Sequence, residues 1–212
     1  INQPLAAVVA NGEAALNWAR RSPPALAEVI ASVAAIVAAG ERAADVISRV
    51  RSLINKRPPV MTEIDINELI GSVLALTQTG FRLAEVKVVQ CLAPDLPSVR
   101  GDRIQLQQLL LNLFNNAVEA MAEVSGRPRV LTIVTVSMNG GAVAITVDDT
   151  GQGFAGADEA KIFEPFYSTK ENGTGMGLAI CQTIVQLHGG RIAVTARASH
   201  GLSLRVELPG QG

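Results

Sequence analysis

At 212 residues the chain is long for one ordinary domain and suits a small helical module followed by one α/β domain. Its 18 Lys+Arg against 19 Asp+Glu leave a net charge of −1, so there is no bulk electrostatic reason to expect a nucleic-acid or membrane-surface partner. Hydrophobic residues make up 48% of the chain and aromatics only 3%, which suits aliphatic helix and sheet packing and leaves function to local chemistry.

Two cysteines, Cys91 and Cys181, stand far apart without a metal-ligand spacing, so neither a disulfide framework nor a zinc site is indicated and a reducing cytosol fits. No apolar run reaches the roughly 18 residues of a membrane span, and no secretory signal is present. A cytoplasmic location without membrane contact is expected for this stretch. Because it begins with Ile1 rather than Met, it reads as a piece of a longer protein that could be anchored upstream.

Apolar side chains at Leu5, Val8, Val9, Leu16 and Ala19 share one helical face, and Ser22-Pro23-Pro24 ends that helix. The stripe resumes from Ala25 to about Lys56 through Leu26, Val29, Val33, Ile36, Val37, Ala44, Ile47, Val50 and Ile54. Such a helix would be about 45 Å long with a narrow apolar stripe. Two reading frames for its burial stand open: a homodimer in which two hairpins make a four-helix bundle, or an intramolecular arm lying on the next domain. Arg57-Pro58-Pro59 breaks the helix, because proline lacks the backbone donor and restricts the residue before it. The expected organisation is a hairpin over 1–57, a linker over 58–63 and a second domain over 64–212.

In that second domain the pattern is mixed. Asp65 with Glu68 reads as a capping box opening a helix to about Thr77, Val86 to Leu92 as a strand, and Asp102 as the cap of an amphipathic helix to about Glu123. Val130 to Ser137 and Ala142 to Asp148 flank Met138-Asn139-Gly140-Gly141 as a hairpin. A glycine-rich irregular stretch over 149–174 precedes a helix to about Leu187. Arg191 to Arg197 and Leu202 to Leu208 close the chain as strands around Ser199-His200-Gly201. The fold class is α+β: a sandwich whose mixed sheet is covered by helices on one face.

Four local patterns carry chemistry. The helix opened by Asp102 holds Asn112, Asn115, Asn116 and Glu119 within an apolar run, and Asn112 and Asn116 share a face. Asparagine is a mediocre helix former, so its repetition asks for a reason: a solvated stripe, or amide oxygens offered to a hydrated Mg²⁺. Asp149-Thr150-Gly151-Gln152-Gly153 ends a strand, either as a plain tight turn or as a close-approach site whose carboxylate accepts from an exocyclic amine. Gly173-Thr174-Gly175-Met176-Gly177-Leu178 opens a helix, where backbone N–H groups suit an anion. It matches neither a Walker loop nor a dinucleotide fingerprint. Between the glycine segments, Ile162-Phe163-Glu164-Pro165-Phe166-Tyr167-Ser168-Thr169-Lys170 gathers aromatics in a loop able to act as a lid, with Lys170 placed either to meet a phosphate or simply in solvent.

In this order the segments resemble the N, G1, F and G2 boxes of sensor histidine kinases, within the ATPase superfamily shared with DNA gyrase, MutL and a heat-shock chaperone. The resemblance implies ATP and Mg²⁺ as ligands. By it, Asn112 and Asn116 serve the metal and the phosphates, and Asp149 the adenine amine. Gly151 and Gly153 then shape the adenine pocket, while Lys170, Gly173, Thr174, Gly175, Gly177 and Leu178 serve the lid and triphosphate.

Asn2-Gln3-Pro4-Leu5-Ala6-Ala7 resembles the tail of the phosphoacceptor box of oxygen- and nitrogen-responsive sensor kinases, with Pro4 expected to kink its helix. In that pattern the phosphoacceptor histidine and its acidic neighbour precede Ile1. The resemblance therefore implies an intact kinase that phosphorylates its own histidine and passes the phosphoryl group to the aspartate of a response-regulator receiver domain. It points to Gln3 as a residue for the reverse, phosphatase step. His188 and His200 read as structural, and residues 1–212 alone are expected to bind Mg·ATP without phosphorylating themselves. Two rivals stand beside this reading: a conformational ATPase of the gyrase or chaperone kind, and a non-catalytic pseudokinase or dimer scaffold.

Overall fold

The computed structural model describes residues 2–37, 39–40, 60–153, 161–168, 175–197 and 200–210. The chain forms two compact units, Ile1–Arg57 and Pro58–Gly212. In the first, helix α1 (Asn2–Ala19) is followed by a turn in which the Ala25 N–H donates to the Trp18 carbonyl, and then by a second helix, α2, described over 26–37. An ideal Cβ on Gly12 would lie 4.0 Å from Ile36 Cδ1, so α1 and α2 run alongside each other. Val9, Leu16, Leu26, Ile30, Val33 and Val37 remain exposed within this unit. The expected continuation of the second helix to Lys56 and its break at Arg57-Pro58-Pro59 lie outside the described residues.

The second unit has strands β1 (Met61–Ile64), β2 (Val86–Leu92), β3 (Val99–Asp102), β4 (Arg129–Ser137), β5 (Val143–Asp149), β6 (Arg191–Ala196) and β7 (Leu202–Leu208). Its helices are α3 (Ile66–Leu83), α4 (Arg103–Met121) and α5 (Gly177–Leu187). The main sheet has five strands in the order β2-β4-β5-β7-β6, with β2 parallel to β4 and the other pairs antiparallel. β1 and β3 pair separately as a two-stranded ribbon, which the sequence reading did not contain. Each is only four residues long, too short a run for its alternation to stand out.

Strand alternation decides the core. Leu131 and Ile133 of β4, Val143, Ile145 and Val147 of β5, and Leu202, Leu204, Val206 and Leu208 of β7 all point to one buried face. Against that face α4 lays Leu106, Leu109, Leu110, Leu113, Phe114, Ala117 and Met121, a stripe at helical spacing. At the same phase as Ile145 and Val147 sits Asp149, so the period-two pattern drives a carboxylate to the buried side, where it is 2% exposed.

The caps are built as the residues require. Asp65 accepts from the Glu68 N–H at 3.0 Å, opening α3. The reciprocal half of the box is replaced, because the Glu68 carboxylate pairs with Arg103 at 2.9 Å on the neighbouring helix. Asp102 Oδ1 accepts from the N–H groups of Ile104 and Gln105, and its Oδ2 from Val60 N–H at 2.9 Å. The Asp102 N–H donates to His188 Nε2 at 3.0 Å, and His188 Nδ1 lies 2.7 Å from the Ile184 carbonyl, to which it donates. Both ring nitrogens of this buried histidine are thus engaged in tying α5 to the start of α4.

On the sheet face opposite α4, Glu207 accepts from Arg191 across the β6–β7 pair and from Arg205 on its own strand. Those two hydrogen bonds, that from Arg191 first, hold the Glu207 carboxyl below the usual glutamate range. A group whose native pKa is depressed contributes stability above its unfolded value, about 4.3, and loses that contribution as pH falls through the native one. Melting temperature should therefore fall less steeply with acid for Glu207→Gln than for wild type between about pH 5 and pH 3. Parallel acid slopes in thermal melts would remove this pair from the acid response.

Candidate functional site

Asn112 and Asn116 flank the apolar stripe of α4 and are half-buried, whereas Asn115 is exposed. The repeated asparagines therefore divide, with Asn115 in solvent and the other two on a shoulder of the helix. Asn112 Nδ2 is buried without a hydrogen-bond partner among the described residues. An orphaned amide donor at such a place is costly, and a ligand oxygen would satisfy it. The amide has both an NH₂ donor for a phosphate oxygen and a carbonyl oxygen of the kind a hydrated cation takes.

The Asp149–Gly153 turn docks on the same helix. The Gln152 N–H donates to the Ala120 carbonyl at 3.3 Å, and Ala120 lies four residues, about 6 Å, beyond Asn116 on the same helical row. A Cβ on Gly151 would come within 2.6 Å of that carbonyl oxygen, so only glycine allows the approach. Asp149 Oδ1 accepts from Gly151 N–H at 2.7 Å and Leu202 N–H at 3.3 Å. These bonds orient the carboxylate at the end of β5. Gly153, at φ +73°, lies against Gly201.

The third segment closes on the aromatic loop. Gly175 adopts φ +62° and its carbonyl accepts from Phe166 N–H at 3.0 Å; a Cβ there would fall 2.4 Å from the Phe166 carbonyl carbon. Phe166 itself sits at φ +69° and is exposed. Gly177 begins α5, where an added Cβ would meet nothing within 4 Å, and the helix start carries no side-chain cap. A helix start without a side-chain cap is chemically suited to an anion. Leu178 packs against the core, and Cys181 contacts the Leu109 carbonyl of α4 at 3.9 Å, which fixes α5 beside the asparagine helix.

Asn112, Asn116, Asp149, Gly151, Gly153, Gly175, Gly177 and Leu178 thus all lie on elements joined to α4 directly or through the β5 and β7 ends. Lys170, Gly173 and Thr174 lie outside the described residues. Gln3 belongs to α1, in the other unit.

Residues that sequence reasoning passed over also shape the site. Arg127 donates to the carbonyls of Thr150 and Gly151, and Gly201 packs on Asp149. An arginine in a loop carries no periodic signal, and Gly201 read simply as a hairpin turn.

The sequence profile of the family described as histidine kinase-, DNA gyrase B- and HSP90-like ATPase matches residues 101–212. The chain belongs to this ATPase family. Its ATP-binding domain is of the histidine kinase type. Sensor histidine kinase TmoS of Ectopseudomonas mendocina is 35% identical over 99% of this chain and 22% of its own length. The catalytic domain of histidine kinase ThkA is 32% identical with a TM-score of 0.62, covering 71% of this chain and 95% of that one. Full-length ShkA in complex with AMPPNP is 25% identical with a TM-score of 0.70, covering 86% of this chain and 39% of that one. The chain spans between 22% and 34% of the lengths of three curated relatives, all sensor proteins. Among the described residues no helix is long and apolar enough to cross a membrane.

Proposed function

We propose that this chain is the catalytic core of a sensor histidine kinase of a two-component system, binding Mg·ATP between α4, the Asp149 turn and the start of α5. The docking of that turn on Ala120, one helical step beyond Asn116, carries the reading, because it brings a buried carboxylate and the amide shoulder into one neighbourhood. Asp149 would accept from the adenine amine. Asn112 would donate to a phosphate oxygen, and the N–H groups at the start of α5 would receive another, with Gly173, Thr174 and Lys170 from the lid. Asn116 would hold Mg²⁺, which neutralises charge on the phosphates when bound.

In the whole protein the product would be a phosphohistidine upstream of Ile1, with the domain contributing position and electrostatics rather than a nucleophile of its own. A response-regulator receiver aspartate would take the phosphoryl group, and Gln3 would assist its later removal. The exposed leucines, isoleucine and valines of α1 and α2 support a homodimer built on the helical hairpin. The sensor-kinase names of the relatives favour this over a gyrase-type ATPase.

Residues 1–212 are expected to bind Mg·ATP in calorimetric titration yet to take up no acid-labile label from γ-labelled ATP. His188 has both nitrogens engaged within the fold, and His200 stands exposed in a turn. Absence of nucleotide binding would sink the reading, and label on this polypeptide would sink the assignment of the phosphoacceptor.

A further inference from the structure

The Asp149–Gly153 turn is held from behind by Arg127. Arg127 Nε donates to the Thr150 carbonyl at 3.2 Å and its Nη2 to the Gly151 carbonyl at 2.9 Å. A planar guanidinium presents two donors in a fixed fork to two successive carbonyls, whereas an ammonium's donors sit on one atom at the end of a flexible stem and do not hold that geometry. The same connection grips the turn twice more. Thr150 Oγ1 donates to the Pro128 carbonyl at 3.0 Å and accepts from Val130 N–H at 2.9 Å, and Gln152 Nε2 donates to Glu123 at 3.0 Å. Asp149 is the residue immediately before this clamped pair, and its Oδ1 is bonded to the N–H of Gly151, whose own carbonyl Arg127 holds.

From this geometry we infer that Arg127 is a positioning residue for base recognition, setting the Asp149 carboxylate where it distinguishes an amino group from a carbonyl on the purine. The inference rests on the reading of Asp149 as the adenine acceptor. Its chemistry is directional. Adenine presents a donor at its six position, which a carboxylate accepts, whereas guanine presents an oxygen there, which a carboxylate repels. Discrimination of that kind depends on the carboxylate being held in one orientation, because a loosened turn would rotate to avoid the repulsion. Arg127 does not touch the nucleotide in this account; it acts through the peptide planes of Thr150 and Gly151.

The test is titration of wild type, Arg127→Lys and Arg127→Gln with Mg·ATP and with Mg·GTP, alongside thermal melts. Wild type should prefer ATP. Both variants should lose ATP affinity by about ten-fold, with a smaller loss for GTP, so that the ATP-to-GTP preference collapses towards unity. Arg127→Lys keeps the charge, so a collapse shared by both variants excludes a simple long-range attraction for phosphate. An unchanged preference, or equal losses for the two nucleotides, would overturn the inference. Loss of the folded state in both variants would overturn it too, since the arginine would then support the domain rather than the turn. Failure of wild type to bind ATP at all would instead remove the functional reading on which the inference stands.

Discussion

Replacing Asp149 by asparagine is expected to weaken ATP binding by about ten- to a hundred-fold while leaving the domain folded. The reason lies in what the amide keeps and what it inverts. Oδ1 accepts from the N–H groups of Gly151 and Leu202, and an amide oxygen can take over both bonds. Where the carboxylate would offer a nucleotide amine an acceptor, the amide's NH₂ group would offer it a donor. A hydrogen bond to a charged group contributes about 1.5–3 kcal/mol, and each 1.4 kcal/mol is a factor of ten. Alanine is the poorer probe, because it would orphan two buried N–H groups and mix loss of fold with loss of recognition. GTP should suffer less than ATP, since the new amide can donate to a guanine oxygen. Calorimetric titration with both nucleotides, next to a melting curve, separates these effects; unchanged ATP affinity in a folded variant would displace Asp149 from the adenine site.

Most of the second unit is legible because its elements are long and its periods clean. β2 and β7 fall where alternation and β-branching place them, and α4 begins at the cap that Asp102 announces. α3 runs on to Leu83, past the expected end near Thr77, because Phe81 turns back into the core and prolongs the buried face. β5 runs one residue further than the alternating run suggests, to Asp149, because that carboxylate is satisfied by backbone N–H groups and can occupy a core-facing position. The glycine segments and the asparagine row are legible as types of chemistry. What sequence could not convey is which glycine each turn leans on. Gly151 needs its missing Cβ because Ala120 lies behind it, and Gly175 because Phe166 does, while Gly177 faces open space. Those are tertiary facts between segments far apart in the chain, as is the reach of Arg127 to the Thr150 and Gly151 carbonyls.

A large stability effect is expected at a glycine outside all the recognised motifs. Gly201 sits at φ +83°, and an added Cβ would lie 2.0 Å from the Asp149 carbonyl oxygen and 2.7 Å from Asp149 Oδ1. Neither neighbour can give way. The carbonyl is held by Arg197 Nη1 at 3.0 Å, and the Gly201 carbonyl in turn accepts from Arg197 N–H at 3.2 Å, so the β6–β7 turn and the end of β5 are locked together. Gly201→Ala should therefore cost about 3 kcal/mol or more, which for a unit of this size is a fall of roughly 6–12 °C in Tm. Gly140→Ala is the control. Gly140 has a similar φ of +78° but nothing within 4 Å of the added Cβ, so it carries the backbone strain without the collision and should cost only about 1 kcal/mol. Because the collision is with Asp149 itself, Gly201→Ala should also lose ATP affinity in whatever fraction remains folded, whereas Gly140→Ala should not. If the two variants melt together and bind nucleotide alike, the close packing of the β6–β7 turn on Asp149 is not what holds that carboxylate in place.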